Sequence, residues 1–120
     1  MTPKEIQSFW DSHPCGDALV EQLAGDYEAF FDRYDTFRYG LEDHIPGVLD
    51  TIDLDGKEVL EIGLGQGADS EQLVRRGASW SGVDLTGESL DRVESRFRVR
   101  KLKYRGLSQA TAVELPYSES

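Results

Sequence analysis

Between Val59 and Thr86 the chain reads VLEIGLGQGADSEQLVRRGASWSGVDLT. With Glu58, the opening residues form a short apolar run, Glu58–Ile62, of the kind that makes a buried strand. Gly63-Leu64-Gly65-Gln66-Gly67 follows as a glycine-rich turn. Residues 69–76 have the spacing of a helix, and Gly77 is placed to stop it. Ser79–Val83 reads as a second apolar strand ending in Asp84. Further on, the pattern predicts a helix from about Glu88 to Arg98, with Leu90, Val93 and Phe97 on its buried face. A third strand is predicted over Leu107–Val113. Strand, helix, strand, helix and strand in this order imply a parallel sheet with right-handed crossovers, an α/β fold.

A glycine-rich turn after a buried strand does two physical jobs. It lets the backbone approach a ligand with no Cβ in the way. It also opens a helix whose first N–H groups point at whatever is bound there. Ligands of parallel sheets sit beyond the carboxyl ends of the strands, where this turn lies. Asp84, at the end of the second strand, follows Gly63 by about 20 positions, the spacing of an acid that takes the ribose hydroxyls of an adenosine.

The turn alone fits two ligand classes. Gly63, Gly65 and Ala68 satisfy the dinucleotide pattern of two glycines followed by glycine or alanine. Two features weigh against a dinucleotide. Gly67 extends the series to three alternating glycines, and Glu61 places an acid just before the first of them. A carboxylate there repels a pyrophosphate and suits a ligand that carries an ammonium and a sulfonium.

From Val59 to Thr86 the sequence closely resembles the first motif, first helix and acidic second-strand motif of class I S-adenosylmethionine-dependent methyltransferases. The segments FWDSHPCG and YDTFRYGLEDHI of the front half are also similar to the lead-in of some bacterial members. The resemblance implies a Rossmann-like fold with S-adenosylmethionine as cofactor, and methyl transfer to an acceptor that the sequence does not identify. It implies that Gly63, Leu64, Gly65 and Gly67 pass under the methionine portion. Glu61 would hold the ammonium through water, Asp84 would bind the ribose hydroxyls, and Leu85 would stack near the adenine. Where the family has glycine-aspartate-alanine before a leucine-proline-aromatic triplet, this chain has Ala110-Thr111-Ala112 ahead of Leu115-Pro116-Tyr117. Thr111, beside Ala112, thus replaces the acid expected to receive the adenine amino group. A neutral hydroxyl makes a weaker acceptor than a carboxylate.

Residues 1–56 read as a helical lead-in. Pro3 suits the first turn of a short helix, and His13-Pro14-Cys15-Gly16 interrupts it. From Asp26, a natural N-cap, to Gly40, a natural stop, Tyr27, Phe30, Phe31, Tyr34 and Phe37 recur at helical spacing. The pattern puts these aromatics on one face, to pack against the sheet or to roof a pocket. Arg38 on this helix is a candidate partner for the methionine carboxylate, and it also stands four residues before Glu42. A short helix is expected over Pro46–Thr51, and Leu54-Asp55-Gly56-Lys57 as a turn.

The 120 residues suit one domain. A net charge of −10 lies wholly in residues 1–60, which hold 14 acids and 4 bases, while residues 61–120 are balanced at 9 of each. That balance argues against a nucleic-acid-binding arm in the front half. The exception is the run from Arg92 to Arg105, with seven bases against Glu94, which reads as a solvated helix end in preference to a surface for nucleic acid or an acidic partner. With no apolar run near the ~18 residues of a membrane span and no signal-like start, the expectation is a cytoplasmic protein without a membrane partner. A single cysteine, Cys15, leaves no intramolecular disulfide or cysteine-rich zinc site, and no metal is expected. His13 and His44, the two histidines, read as surface or capping residues, so no catalytic residue is assigned.

Relative to the seven-stranded family fold, residues 57–120 correspond to a βαβαβ half. The half beyond the third strand normally supplies the fourth strand and much of the substrate wall. Its absence from the sequence predicts weak methyl transfer by this chain alone and a first strand exposed as an edge. Such an edge favours a homodimer, with packing of the aromatic front helix over it as the other outcome. A module that holds S-adenosylmethionine without catalysis is the alternative function.

Overall fold

The computed structural model describes residues 1–13 and 17–110. In chain order the elements are α1 (Pro3–Ser12), α2 (Asp17–Gln22), α3 (Ala24–Leu41), α4 (His44–Asp50), β1 (Glu58–Ile62), α5 (Ala68–Arg75), β2 (Ser79–Asp84), α6 (Gly87–Val99) and β3 (Gly106–Gln109). Among the described residues the strands form one sheet in the order β1-β2-β3, with both pairings parallel. Glu61 lies beside Gly82, and Asp84 beside Gln109. The ladder runs one residue past β3, where the Ala110 amide donates to the Asp84 carbonyl at 3.0 Å. The expected continuation of the third strand to Val113, like the Leu115-Pro116-Tyr117 triplet, lies outside the described residues.

Two apolar cores hold these elements. Beneath the sheet, Trp80 packs with Leu54, Leu64 and Ala78 and with Val93 and Phe97 of α6. The front helices form the other, around Trp10, Tyr27, Phe30 and Phe31, with Phe9 stacked on Phe30 at 4.0 Å. Val99 at the end of α6 packs against this front cluster, so one helix serves both cores. Most of the aromatic face of α3 therefore buries itself against α1 rather than against the sheet.

The boundaries of α3 differ from those its sequence suggests. Leu23, not Asp26, occupies the N-cap, and Asp26 falls in the first turn. Its negative charge is still favourable there, at the positive end of the helix dipole. Gly40 stays helical, and the helix ends at Glu42, whose amide donates to the Arg38 carbonyl at 2.9 Å. A glycine costs a helix only about 1 kcal/mol, and here it sits in the last turn. Phe37 does not join the aromatic cluster and is 40 % exposed. His13 caps α1: its amide donates to the Trp10 carbonyl, and its ring stacks on Phe9 at 4.0 Å.

The basic run from Arg92 to Arg105 is solvated only in part: Lys101, Lys103 and Arg105 are exposed, but Arg96 and Arg100 are not. Arg96 is fully buried, with its Nη1 on both Asp35 oxygens at 2.9 Å and on Glu71 at 3.2 Å. Arg100 reaches Glu28, Asp32, Asp35 and Glu71. Both guanidiniums lie over the Phe31 ring, 4.6 and 5.5 Å from its centre. The acids of the front half and the bases of α6 thus meet across the interface of the two cores. Among the described residues, no helix is long and apolar enough to cross a membrane.

Candidate functional site

At the carboxyl end of β1 the chain shapes a cleft of about 240 Å³, lined by Tyr34, Arg38, Glu61, Asp69 and the glycine turn. The turn is held from below: the Gly63 amide donates to the Val83 carbonyl at 2.9 Å and the Gly67 amide to the Leu64 carbonyl at 3.0 Å. Gly63, Gly65 and Gly67 have φ of +80°, +57° and +82°, a region that side chains disfavour. Beyond that shared need, the glycines differ. A Cβ on Gly63 or Gly65 would meet nothing within 4 Å. On Gly67 it would stand 3.0 Å from Val93 Cγ2 and 3.4 Å from Arg96. Gly63 and Gly65 therefore leave room on the open side, whereas Gly67 lets α6 pack beneath the turn.

Gln66, between two of these glycines, is gripped from two directions. Trp10 Nε1 donates to its side-chain oxygen at 3.2 Å, and Arg96 Nε to its carbonyl at 3.1 Å. The helical front and α6 thus both set the shape of the turn. Sequence reading missed this grip, because nothing in local spacing links residues 56 positions apart.

Glu61, the penultimate residue of β1, reaches the cleft. Its Oε1 accepts from Ser70 Oγ at 2.7 Å and from Trp80 Nε1 at 3.1 Å. Burial pushes its carboxyl above the usual carboxylate range, while these two donors pull the other way. The sequence does carry one faint signal of this contact, a tryptophan two residues before a glycine on the strand beside β1.

Asp84 is 9 % exposed and already engaged. Its Oδ2 accepts from the Leu64 amide at 2.8 Å; its Oδ1 accepts from the Thr86 amide at 2.9 Å and the Thr86 hydroxyl at 3.2 Å. Burial works to raise its pKa, but the Leu64 and Thr86 donors win and hold the carboxyl below its ordinary value. The acid of the second strand therefore ties the glycine turn to the start of α6, where Thr86 is the N-cap. Leu85 follows it with 66 % of its surface exposed, at the same end of the sheet. Thr111 and Ala112 lie outside the described residues.

Arg38 makes a two-pronged pair with Asp69: Nε to Oδ1 at 3.1 Å and Nη2 to Oδ2 at 2.7 Å. Its Nη1 also reaches Glu42 at 3.3 Å, the pair expected from their spacing. Tyr39 adds a hydroxyl donor to Asp69 at 2.9 Å. Desolvation works to raise the Asp69 pKa, yet Arg38 and Tyr39 hold the carboxyl below its ordinary range. Tyr34 is the aromatic residue of α3 that lines the cleft; the others of the cluster pack away from it.

No family model matches the chain, and no curated protein sequence matches it. Among solved structures it is similar to an S-adenosylmethionine-dependent methyltransferase from Clostridium acetobutylicum ATCC 824, with a TM-score of 0.52 and 26 % identity over 77 % of this chain. The match covers 39 % of that protein, so this chain spans well under half of its length. With a parallel β1-β2-β3 sheet behind a helical front, and a glycine turn between β1 and α5, this chain has the fold of part of a class I S-adenosylmethionine-dependent methyltransferase.

Proposed function

We infer that the cleft holds S-adenosylmethionine, and that the chain is the cofactor-binding part of a methyltransferase whose acceptor is unidentified. The observation that carries this reading is the open side of the glycine turn. Gly63 and Gly65 leave clear space above the backbone, and Glu61 borders that space with a carboxylate. A cationic amino-acid ligand suits this donor set, and a pyrophosphate does not. Glu61 would take the ammonium. Arg38 lines the same cleft, and a ligand carboxylate would compete with Asp69 for its guanidinium. Asp84 has both oxygens bonded by backbone, so a ribose would share a carboxylate that is already fixed in place. Leu85 offers an exposed apolar side chain to the adenine.

The cofactor supplies an activated methyl group on a sulfonium; the chain's own work is binding and orientation, which is most of what a displacement at that methyl needs. Calorimetric titration with S-adenosylmethionine and with NAD tests the reading. Binding of the first at micromolar concentration and none of the second is the expected result. Preference for NAD would overturn it. Product detection with candidate acceptors then separates an enzyme from a module that only holds the cofactor.

A further inference from the structure

Glu61 is the acid on which the proposed ligand contact depends, and a half-buried carboxylate near a strand end can point several ways or take up a proton. The surroundings of this one remove that freedom. Trp80 sits two residues before Gly82 on β2, on the face that Glu61 and its partner Gly82 share. Its indole lies directly across Gly82: a Cβ there would stand 2.3 Å from Trp80 Cη2 and 2.7 Å from Cζ2. Only the missing side chain lets the ring pass over the strand and bring Nε1 to Glu61. The ring is fully buried and set edge-on against Phe97, 5.2 Å between centres. From the other side comes Ser70, also fully buried, on α5. Both donors converge on one oxygen, Oε1. Among the described residues, Oε2 receives no hydrogen bond.

We propose that Trp80 and Ser70 are positioning residues, a two-donor clamp that fixes Glu61 Oε1 and presents Oε2 to the ammonium of the bound ligand. The inference rests on the cofactor reading above and adds to it the parts that orient the acid. Two neutral donors on one oxygen do two things. They select a single rotamer, which pre-organises the ligand contact. They also stabilise the ionised form against the burial that opposes it. A neutral clamp achieves this without placing a cation beside the ligand's own ammonium, which an arginine or lysine would do. Gly82 is then required for the reach of Trp80 rather than for any backbone conformation.

The test compares wild type with Trp80→Phe, which keeps an aromatic ring but loses the donor, and with Ser70→Ala, a smaller change that is safe for folding. Ser70→Thr restores the hydroxyl. Carbon-detected NMR of glutamate-labelled protein, assigned with Glu61→Gln, follows the Glu61 carboxyl titration without ligand. Calorimetry with S-adenosylhomocysteine follows binding across pH. The expected result is a higher Glu61 pKa in Trp80→Phe and Ser70→Ala, with affinity at pH 7 down about tenfold, the scale of one lost bond to a charged group. The acid limb of the binding profile should move upward with the carboxyl titration, and Ser70→Thr should return both toward wild type. Wild-type binding with an unmoved titration and an unmoved acid limb in both variants would overturn the clamp and leave the cofactor reading standing. A wild type that takes up no S-adenosylhomocysteine at any pH would overturn the cofactor reading, and the clamp's purpose with it.

Discussion

Gly65 carries a φ of +57° and faces open space, so its two constraints separate cleanly. Gly65→Val would collide with no neighbour in the free protein, but it would hold a β-branched residue in the left-handed region, at about 1–2 kcal/mol. The expected outcome is a slightly less stable, still folded protein that no longer binds S-adenosylmethionine; circular dichroism and calorimetry read the two effects. Normal binding by this variant would move the site elsewhere. Arg38 allows a sharper comparison. Arg38→Gln should weaken S-adenosylmethionine several-fold and leave methylthioadenosine, which lacks the amino-acid part, unchanged; an equal loss for both would assign Arg38 to holding Asp69 alone. At this scale the legible residues were those fixed by local spacing: Glu61, the glycines and Asp84 lie within one strand-turn-strand unit. Trp80, Ser70 and Asp69 were not singled out, because their contacts depend on strand register and on which face of a helix turns toward the cleft. Gly67 was grouped with its neighbours, since a sequence does not distinguish a glycine that makes room for a ligand from one that makes room for a helix.

Among the elements, α6 ties the front helices to the sheet. Arg96 joins Asp35 of α3, Glu71 of α5 and the Gln66 carbonyl of the turn. Arg96→Leu would leave the buried Glu71 carboxylate to Arg75 and Arg100 and take the Arg96 guanidinium from Asp35. A fully uncompensated buried charge costs about 3–5 kcal/mol, so with cations remaining on both acids the loss should be smaller. Thermal unfolding should show that loss, and a melting point unchanged from wild type would refute a supporting role. The same acids set a pH dependence. Burial works to raise the pKa values of Glu71, Asp69 and Asp84, but their donors and cations prevail and each is lowered. A lowered folded pKa contributes stability that is present above the unfolded value, about 3.9 for Asp and 4.3 for Glu. That stability is lost as pH falls through the folded value. Glu61, raised by burial, acts in the opposite sense. Three lowered acids against one raised acid predict a melting temperature that falls steeply below about pH 4; a flat profile to pH 2 would contradict it. The sequence marked these elements except α2, and placed β1, β2 and the start of β3 within a residue. It misjudged the ends of α3, where tertiary contacts outweigh capping preference, and the engagement of Arg96 and Arg100, whose shared partner Asp35 lies more than 60 positions away in α3.

For the molecule as a whole, the outstanding feature is an open flank. Among the described residues β1 is an edge strand, with Leu60 40 % and Ile62 51 % exposed. The front helix does not cover it; α3 packs on α1, α5 and α6 instead. An apolar edge with free amides and carbonyls is a template for another strand. The 120-residue chain should therefore associate with rising concentration, and Leu60→Lys should suppress this in light scattering. A particle that stays monomeric throughout would mean that the edge is closed by something other than a partner. The fold class was readable here because strand-helix alternation dictates a parallel sheet, whereas the separate front core was not, since aromatic periodicity names a buried face without naming what buries it. The two cores and the turn between them have one more consequence. The chain's two tryptophans each donate their indole N–H to a residue of the glycine turn region, Trp10 to Gln66 and Trp80 to Glu61. Indole emission responds to the partner of that N–H, so the protein carries its own optical probe at each end of the cleft. Trp80→Phe leaves a reporter of front-helix docking, Trp10→Phe a reporter of the acid's protonation, and neither needs a dye.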